Sequence, residues 1–120
     1  MDFVYEIPNN LSDEKCEEII KRFEADKGAR RGVVGTKRSE NNVKKSLDLP
    51  ISGVEHWNDI DHYLHEQLQK GIKQYRNHLK DDLSYSGVEH AFGHESNVRD
   101  TGYQIQKTVI GEYYSWHDDS

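Results

Sequence analysis

Apolar residues along this chain recur at steps of three and four in two stretches, and alternate with polar residues near both ends. Trp57, Ile60, Leu64, Leu68, Ile72, Tyr75 and Leu79 form the stronger series. They predict one long amphipathic helix that continues through Gly71, with Asp61, His62, Glu66, Lys70 and Lys73 on its polar face. Cys16, Ile19, Ile20 and Phe23 predict a shorter helix. Ser12 supplies its N-cap, Asp13 and Glu14 suit its positive end, and Leu11 can staple against Cys16. That helix should stop near Asp26-Lys27-Gly28. Phe3, Tyr5 and Ile7 alternate with Asp2, Val4 and Glu6, a strand pattern ended by Pro8-Asn9-Asn10.

Toward the other end, Tyr103, Ile105, Val109 and Ile110 around Gln104, Gln106 and Thr108 predict a strand. Gly111-Glu112 should turn the chain into a second strand, Tyr113 to His117. Residues 28–46 are basic and contain glycine. Val33-Val34 and Val43 through Leu49 read as short strands around a polar loop, with Pro50 as the stop. This is either a solvated hairpin or a flap, carrying Lys37-Arg38, that meets a partner. From Asp81 to Asp100 no period holds, which predicts a loop of about twenty residues.

Composition narrows the picture. The 120 residues suffice for one domain, yet only 33% are apolar against 32% charged, and mean hydropathy is -1.00. The core is expected to be thin, or completed by chain beyond these residues. Sixteen basic against 22 acidic residues leave a net charge of -6. That balance argues against sequence-independent nucleic-acid binding and against a basic membrane-surface helix. No apolar run approaches the ~20 residues of a bilayer span. The N-terminus lacks a signal-peptide pattern, and Cys16 is the single cysteine. A reduced, cytoplasmic location is expected.

Seven histidines invite a search for metal sites. His62 and His65 lie three apart on the long helix, but His62 faces away from the apolar stripe, so a solvated face is expected. His90 and His94 echo a zinc-protease spacing, but Glu89 precedes the first His and Gly93 disfavours the required helix. His56 and His78 carry no special signal. His117-Asp118-Asp119 differs: residues two apart in a strand point to one side, so an imidazole and a carboxylate converge. With one more His they compose the facial triad of non-haem Fe(II) oxygenases.

The segment from Asp100 to Asp119 resembles the opening core strands of 2-oxoglutarate/Fe(II) dioxygenases, in the prolyl 4-hydroxylase-like branch. Gln104, Gly111, Glu112, Tyr114, His117 and Asp119 match that pattern. Pro8 to Cys16 is similar to the strand-then-helix entry of the branch, and Lys45-Ser46 falls where a basic-Ser strand is common. Thr108 stands where many members place a cosubstrate-binding Tyr.

The resemblance implies an α+β fold: the N-terminal half of a double-stranded β-helix (jelly-roll) domain with two supporting helices. Residues 1–99 would be helical support and 100–120 the first core strands of a single incomplete domain. It implies Fe(II) held by His117 and Asp119, and 2-oxoglutarate as cosubstrate near Thr108 and Gln106. Tyr114 and Trp116 would meet a peptide or small-molecule substrate, and ascorbate is a possible further cofactor. No residue is assigned as a catalytic acid or base. The family's distal His and its cationic anchor for 2-oxoglutarate would lie downstream of His117, so residues 1–120 alone are expected to be inactive. The rival reading is a non-catalytic acidic α+β interaction module. A third is a metal site completed across a dimer by His90 or His94. Substrate and oligomeric state stay open.

Overall fold

The computed structural model describes residues 3–32, 44–88 and 99–116, the side chain of Lys44 apart. Helix α1 spans Asp13–Ala25 and helix α2 spans Asn58–Asn77, preceded by a 3-10 turn at Glu55–Trp57 and followed by a π-helical turn at His78–Asp82. The strands are β1 (Arg30–Arg31), β2 (Lys44–Lys45), β3 (Leu47–Pro50), β4 (Gln104–Lys107) and β5 (Tyr113–Tyr114).

Helix α1 begins and ends where the chain supplies the caps. Ser12 accepts the Lys15 N–H at 3.2 Å, and α1 opens with Asp13 and Glu14 against its positive end. Asp26, its C-cap, sends its N–H to the Phe23 carbonyl. Helix α2 runs unbroken through Gly71, where a side-chain methyl of Ile7 comes within 3.5 Å of the position a Cβ would take. Of the apolar stripe, Trp57, Ile60 and Leu79 are buried, while Leu64, Leu68, Ile72 and Tyr75 are half-buried.

Phe23, Leu49, Ile51, Trp57 and Ile60 form the buried core, so α1, the end of β3 and the start of α2 meet there. Ile19, Val54, Leu64, Tyr103 and Ile105 pack around it. The sheet order is β1-β3-β4, with both pairs antiparallel. In β4 the side chains alternate: Ile105 packs on the core, and Lys107 reaches Glu24 of α1 at 2.5 Å. Gln104 and Gln106 are exposed.

Three expectations change. Phe3 to Ile7 forms no strand; instead this segment lies on the end of α2. The Tyr75 hydroxyl donates to the Phe3 carbonyl at 2.6 Å, and Tyr5 stacks on His78 with ring centroids 4.6 Å apart. The alternation reflects aromatic packing on a helix, and sheet pairing plays no part in it. The strand predicted from Tyr103 to Ile110 shortens to Gln104–Lys107. A turn intervenes, closed by the Glu112 N–H on the Val109 carbonyl at 2.9 Å, and Gly111 takes φ 90° there.

The third change concerns pairing. β4 faces β3, with Leu47 opposite Lys107 and Pro50 opposite Gln104. β5 faces β2, with Lys45 opposite Tyr113 and Lys44 opposite Tyr114. Both therefore pair with consecutive stretches of one segment, residues 44–50. They run in series along it and are not hairpin partners. Thr108 to Glu112 form the excursion between them, opposite Ser46.

Candidate functional site

The segment that carries the metal-ligand pattern is positioned by β4 and β5. Leu49 lies opposite Ile105, and both belong to the core side of the sheet. Asp48 lies opposite Gln106, so these two occupy the face away from the helices. On that face Ser46 and Asp48 are buried at 2% and 7% exposure, and the Ser46 hydroxyl donates to Asp48 at 2.9 Å. A buried hydroxyl–carboxylate pair beside Gln106 was not foreseen from sequence, because Ser and Asp are ordinarily surface residues.

Gln106 and Thr108, the cosubstrate candidates, are brought together. They line a groove of about 320 Å³ with Ile20, Phe23, Glu24, Ile105 and Lys107. Lys107, a cation at this groove, is paired with Glu24. Tyr114 and Trp116, the substrate candidates, stand apart from it on β5 and just beyond: Tyr114 is 38% exposed, and Trp116 is fully exposed. His117 and Asp119 follow Trp116 directly and lie outside the described residues, as do His90, His94, Val33-Val34 and the flap residues Lys37-Arg38.

Among the described residues no three His, Cys, Asp or Glu side chains converge as a metal site. His62 and His65 take separate carboxylates. His62 meets Glu66 at 3.2 Å on an exposed face, while His65 meets Asp100 at 3.0 Å. Asp100 also receives the Tyr103 hydroxyl at 2.5 Å. Those two bonds, Tyr103 first, hold its carboxyl below the usual range, and burial together with Asp100 pushes the Tyr103 phenol well up. This network ties the entry of β4 to α2. The Tyr103 N–H adds a bond to Ser52 at 2.7 Å, and Ser52 in turn donates to Asp61 at 2.5 Å.

A second cluster surrounds His56, for which the sequence carries no special signal. Asp26 accepts from His56 Nε2 at 2.7 Å, from Trp57 Nε1 at 2.6 Å and from the Gly28 N–H at 2.7 Å. These bonds, His56 first, lower its pKa to about 2. Arg22 stacks over Trp57 at 4.6 Å and grips both Asp59 oxygens at 2.7 and 3.0 Å. His78 likewise has partners, with Asp82 at 3.0 Å as well as the Tyr5 ring. Asp26 and Asp59 lie on other elements than His56 and Arg22, which periodicity cannot reveal, whereas Asp82 lies in the same helical turn as His78.

Among the described residues no helix is long and apolar enough to cross a membrane. Comparison with protein-family models, with curated proteins and with solved structures gives no match for this chain.

Proposed function

We propose that this chain carries part of the iron site of an Fe(II)- and 2-oxoglutarate-dependent dioxygenase that hydroxylates a peptide or small-molecule substrate. The observation that supports the reading is the His-x-Asp pattern in the sequence, His117 and Asp119, which follows the last residue of β5 after Ser115 and Trp116. One imidazole and one carboxylate are the donor types that Fe(II) takes in a facial triad, so the donor set fits the metal. His117 and Asp119 would hold it, with a further imidazole to complete the set. When bound, iron with 2-oxoglutarate activates dioxygen for insertion into a C–H bond, and the cosubstrate leaves as succinate.

The chain's own residues have three tasks in this reading. Thr108 offers a hydroxyl to a carboxylate in the groove beside β4, and Gln106 an amide at the edge of the same strand. Tyr114 and Trp116 present aromatic surface to a substrate and keep water from it. The core contact of Ile105 and the Lys107–Glu24 pair hold β4 in place, so those side chains act from a fixed strand. The half-jelly-roll architecture and a reducing compartment, suited to the lone Cys16, belong to the same proposal. Prolyl residues are the substrate that the resemblance favours.

The test uses protein in which this segment is joined to its third imidazole. Succinate formation with Fe(II), 2-oxoglutarate and ascorbate should be abolished by His117→Ala and by Asp119→Ala, with melting temperature unchanged. Undiminished succinate production in either variant contradicts the reading. A second reading, an interaction module, is favoured by Ile110 and Trp116, both fully exposed. It predicts no turnover in any form of the protein.

A further inference from the structure

The Asp26–His56 pair stands outside the site above and borders a pocket of about 470 Å³ lined by Arg22, Ala25, Asp26, Lys27, His56 and Trp57. Its chemistry follows from counting protons. Asp26 receives three N–H groups, from Trp57, His56 and Gly28, and an ionised carboxylate can only accept. Its lowered pKa, about 2, keeps it ionised at neutral pH. His56 Nε2 must therefore carry the hydrogen, so in the neutral form of the ring Nδ1 is the basic nitrogen. Nδ1 has no partner among the described residues, and the side chain is 68% exposed.

The surroundings specify the electrophile. Arg22 is already engaged by Asp59 and by the His56 carbonyl. Lys27 lines the same pocket and has no acidic partner among the described residues. An imidazole lone pair beside an uncompensated ammonium suits an anionic electrophile better than a neutral one. We propose that His56 is a phosphoryl-accepting nucleophile, taking the phosphoryl group of an acyl phosphate onto Nδ1 while Asp26 holds the Nε2–H.

The step balances without a redox partner. The Nδ1 lone pair forms an N–P bond, the P–O bond to the acyl group breaks, and its electron pair leaves with the carboxylate. The ring gains positive charge as the bond forms, and the Asp26 carboxylate at 2.7 Å stabilises that charge. Lys27 offsets the charge of the incoming phosphoryl oxygens. The fully bonded carboxylate also fixes the ring at the edge of the pocket.

His62 serves as an internal standard, since its side chain is 75% exposed and meets Glu66 on the open face of α2. The 120-residue chain is incubated with acetyl phosphate, and phosphohistidine is followed by phosphorus NMR and by peptide mass spectrometry. His62 also has its Nε2 on a carboxylate, so the difference reads the pocket with Lys27: His56 should label at least about tenfold faster than His62, the lower end of what a charged cleft contributes by concentrating an anion. His56→Gln should remove that product, and Lys27→Gln, a surface change, should slow it several-fold. Asp26→Asn should slow it as well; should that variant unfold, the ratio within the native chain still decides. Labelling of His62 at the rate of His56, or no phosphohistidine at all, overturns the proposal. An unchanged rate in a folded Asp26→Asn variant overturns it as well.

Discussion

The chain's two tryptophans mark two regions built on different principles. Trp57 is 1% exposed; its indole N–H is bonded to Asp26, its face is covered by Arg22, and its ring sits among Phe23, Leu49, Ile51 and Ile60. Trp116 is fully exposed, at the end of a strand whose pairing covers two residues. The first region supplies its own apolar partners. The second offers Val109, Ile110 and Trp116 to solvent. Stability therefore resides in the helices and β3, while the His-x-Asp pattern follows a strand paired over only two residues. Low local stability is common where binding and movement occur.

The comparison breaks most easily at Trp57. Trp57→Ala should cost about 3–5 kcal/mol, the range for emptying an aromatic core site. Denaturant unfolding followed by circular dichroism would measure it. A loss under about 1 kcal/mol would mean that the core is not cooperative.

Paired glycine substitutions sharpen the contrast. Gly102 and Gly111 both hold positive φ, 104° and 90°, a backbone state that costs an L-residue of order 1–3 kcal/mol. A Cβ at Gly102 would lie 2.8 Å from the Ser52 side chain, whereas at Gly111 it meets nothing within 4 Å. Gly102→Ala should therefore fall at the upper end of that range and Gly111→Ala at the lower. Equal losses in melting temperature would show that the Ser52 contact is not rigid.

Acid should act on the stable region first. Asp26 and Asp59 both have pKa values lowered from 3.8 to about 2, by His56 and Trp57 in one case and by Arg22 in the other. A depressed folded pKa gives stability that is full above the unfolded value and lost as pH falls toward the folded one. Midpoints should fall between about pH 4 and pH 2, and Asp26→Asn should flatten that slope. A slope unchanged in Asp26→Asn would place the acid sensitivity elsewhere.

The smallest effect is expected at Trp116. Its truncation to Ala should move stability by less than about 0.5 kcal/mol, as for other open surface positions. A larger loss would mean that Trp116 is covered in solution and that the regions are less distinct than drawn.

Sequence and structure agree best where one helix face decides the outcome. The Ser12 cap, the stop at Asp26 and the stripe from Trp57 to Leu79 are local signals, and local hydrogen bonding enforces them. Sequence fails where partners come from afar. Phe3 and Tyr5 alternate like a strand but pack on Tyr75, His78 and Tyr85. Val88, inside a stretch without period, is buried at 1%. Register could not be read either, so β4 and β5 looked like a hairpin when both align on residues 44–50. Of the candidate site, the grouping of Gln106 with Thr108 needed the groove between α1 and β4. The histidine partners Asp26 and Asp100 are set by tertiary contacts that no spacing encodes, whereas Asp82 lies four residues from His78 in one helical turn.

The two tryptophans also provide the most direct test of the iron assignment. Fe(II) is added anaerobically to the chain while both indole N–H signals are followed by NMR. Trp116 immediately precedes His117, whereas Trp57 is enclosed in the core and adjoins His56. Paramagnetic broadening of the Trp116 signal alone, abolished by His117→Ala and by Asp119→Ala, is the predicted result. Broadening that spares Trp116, or that survives both substitutions, would contradict the account.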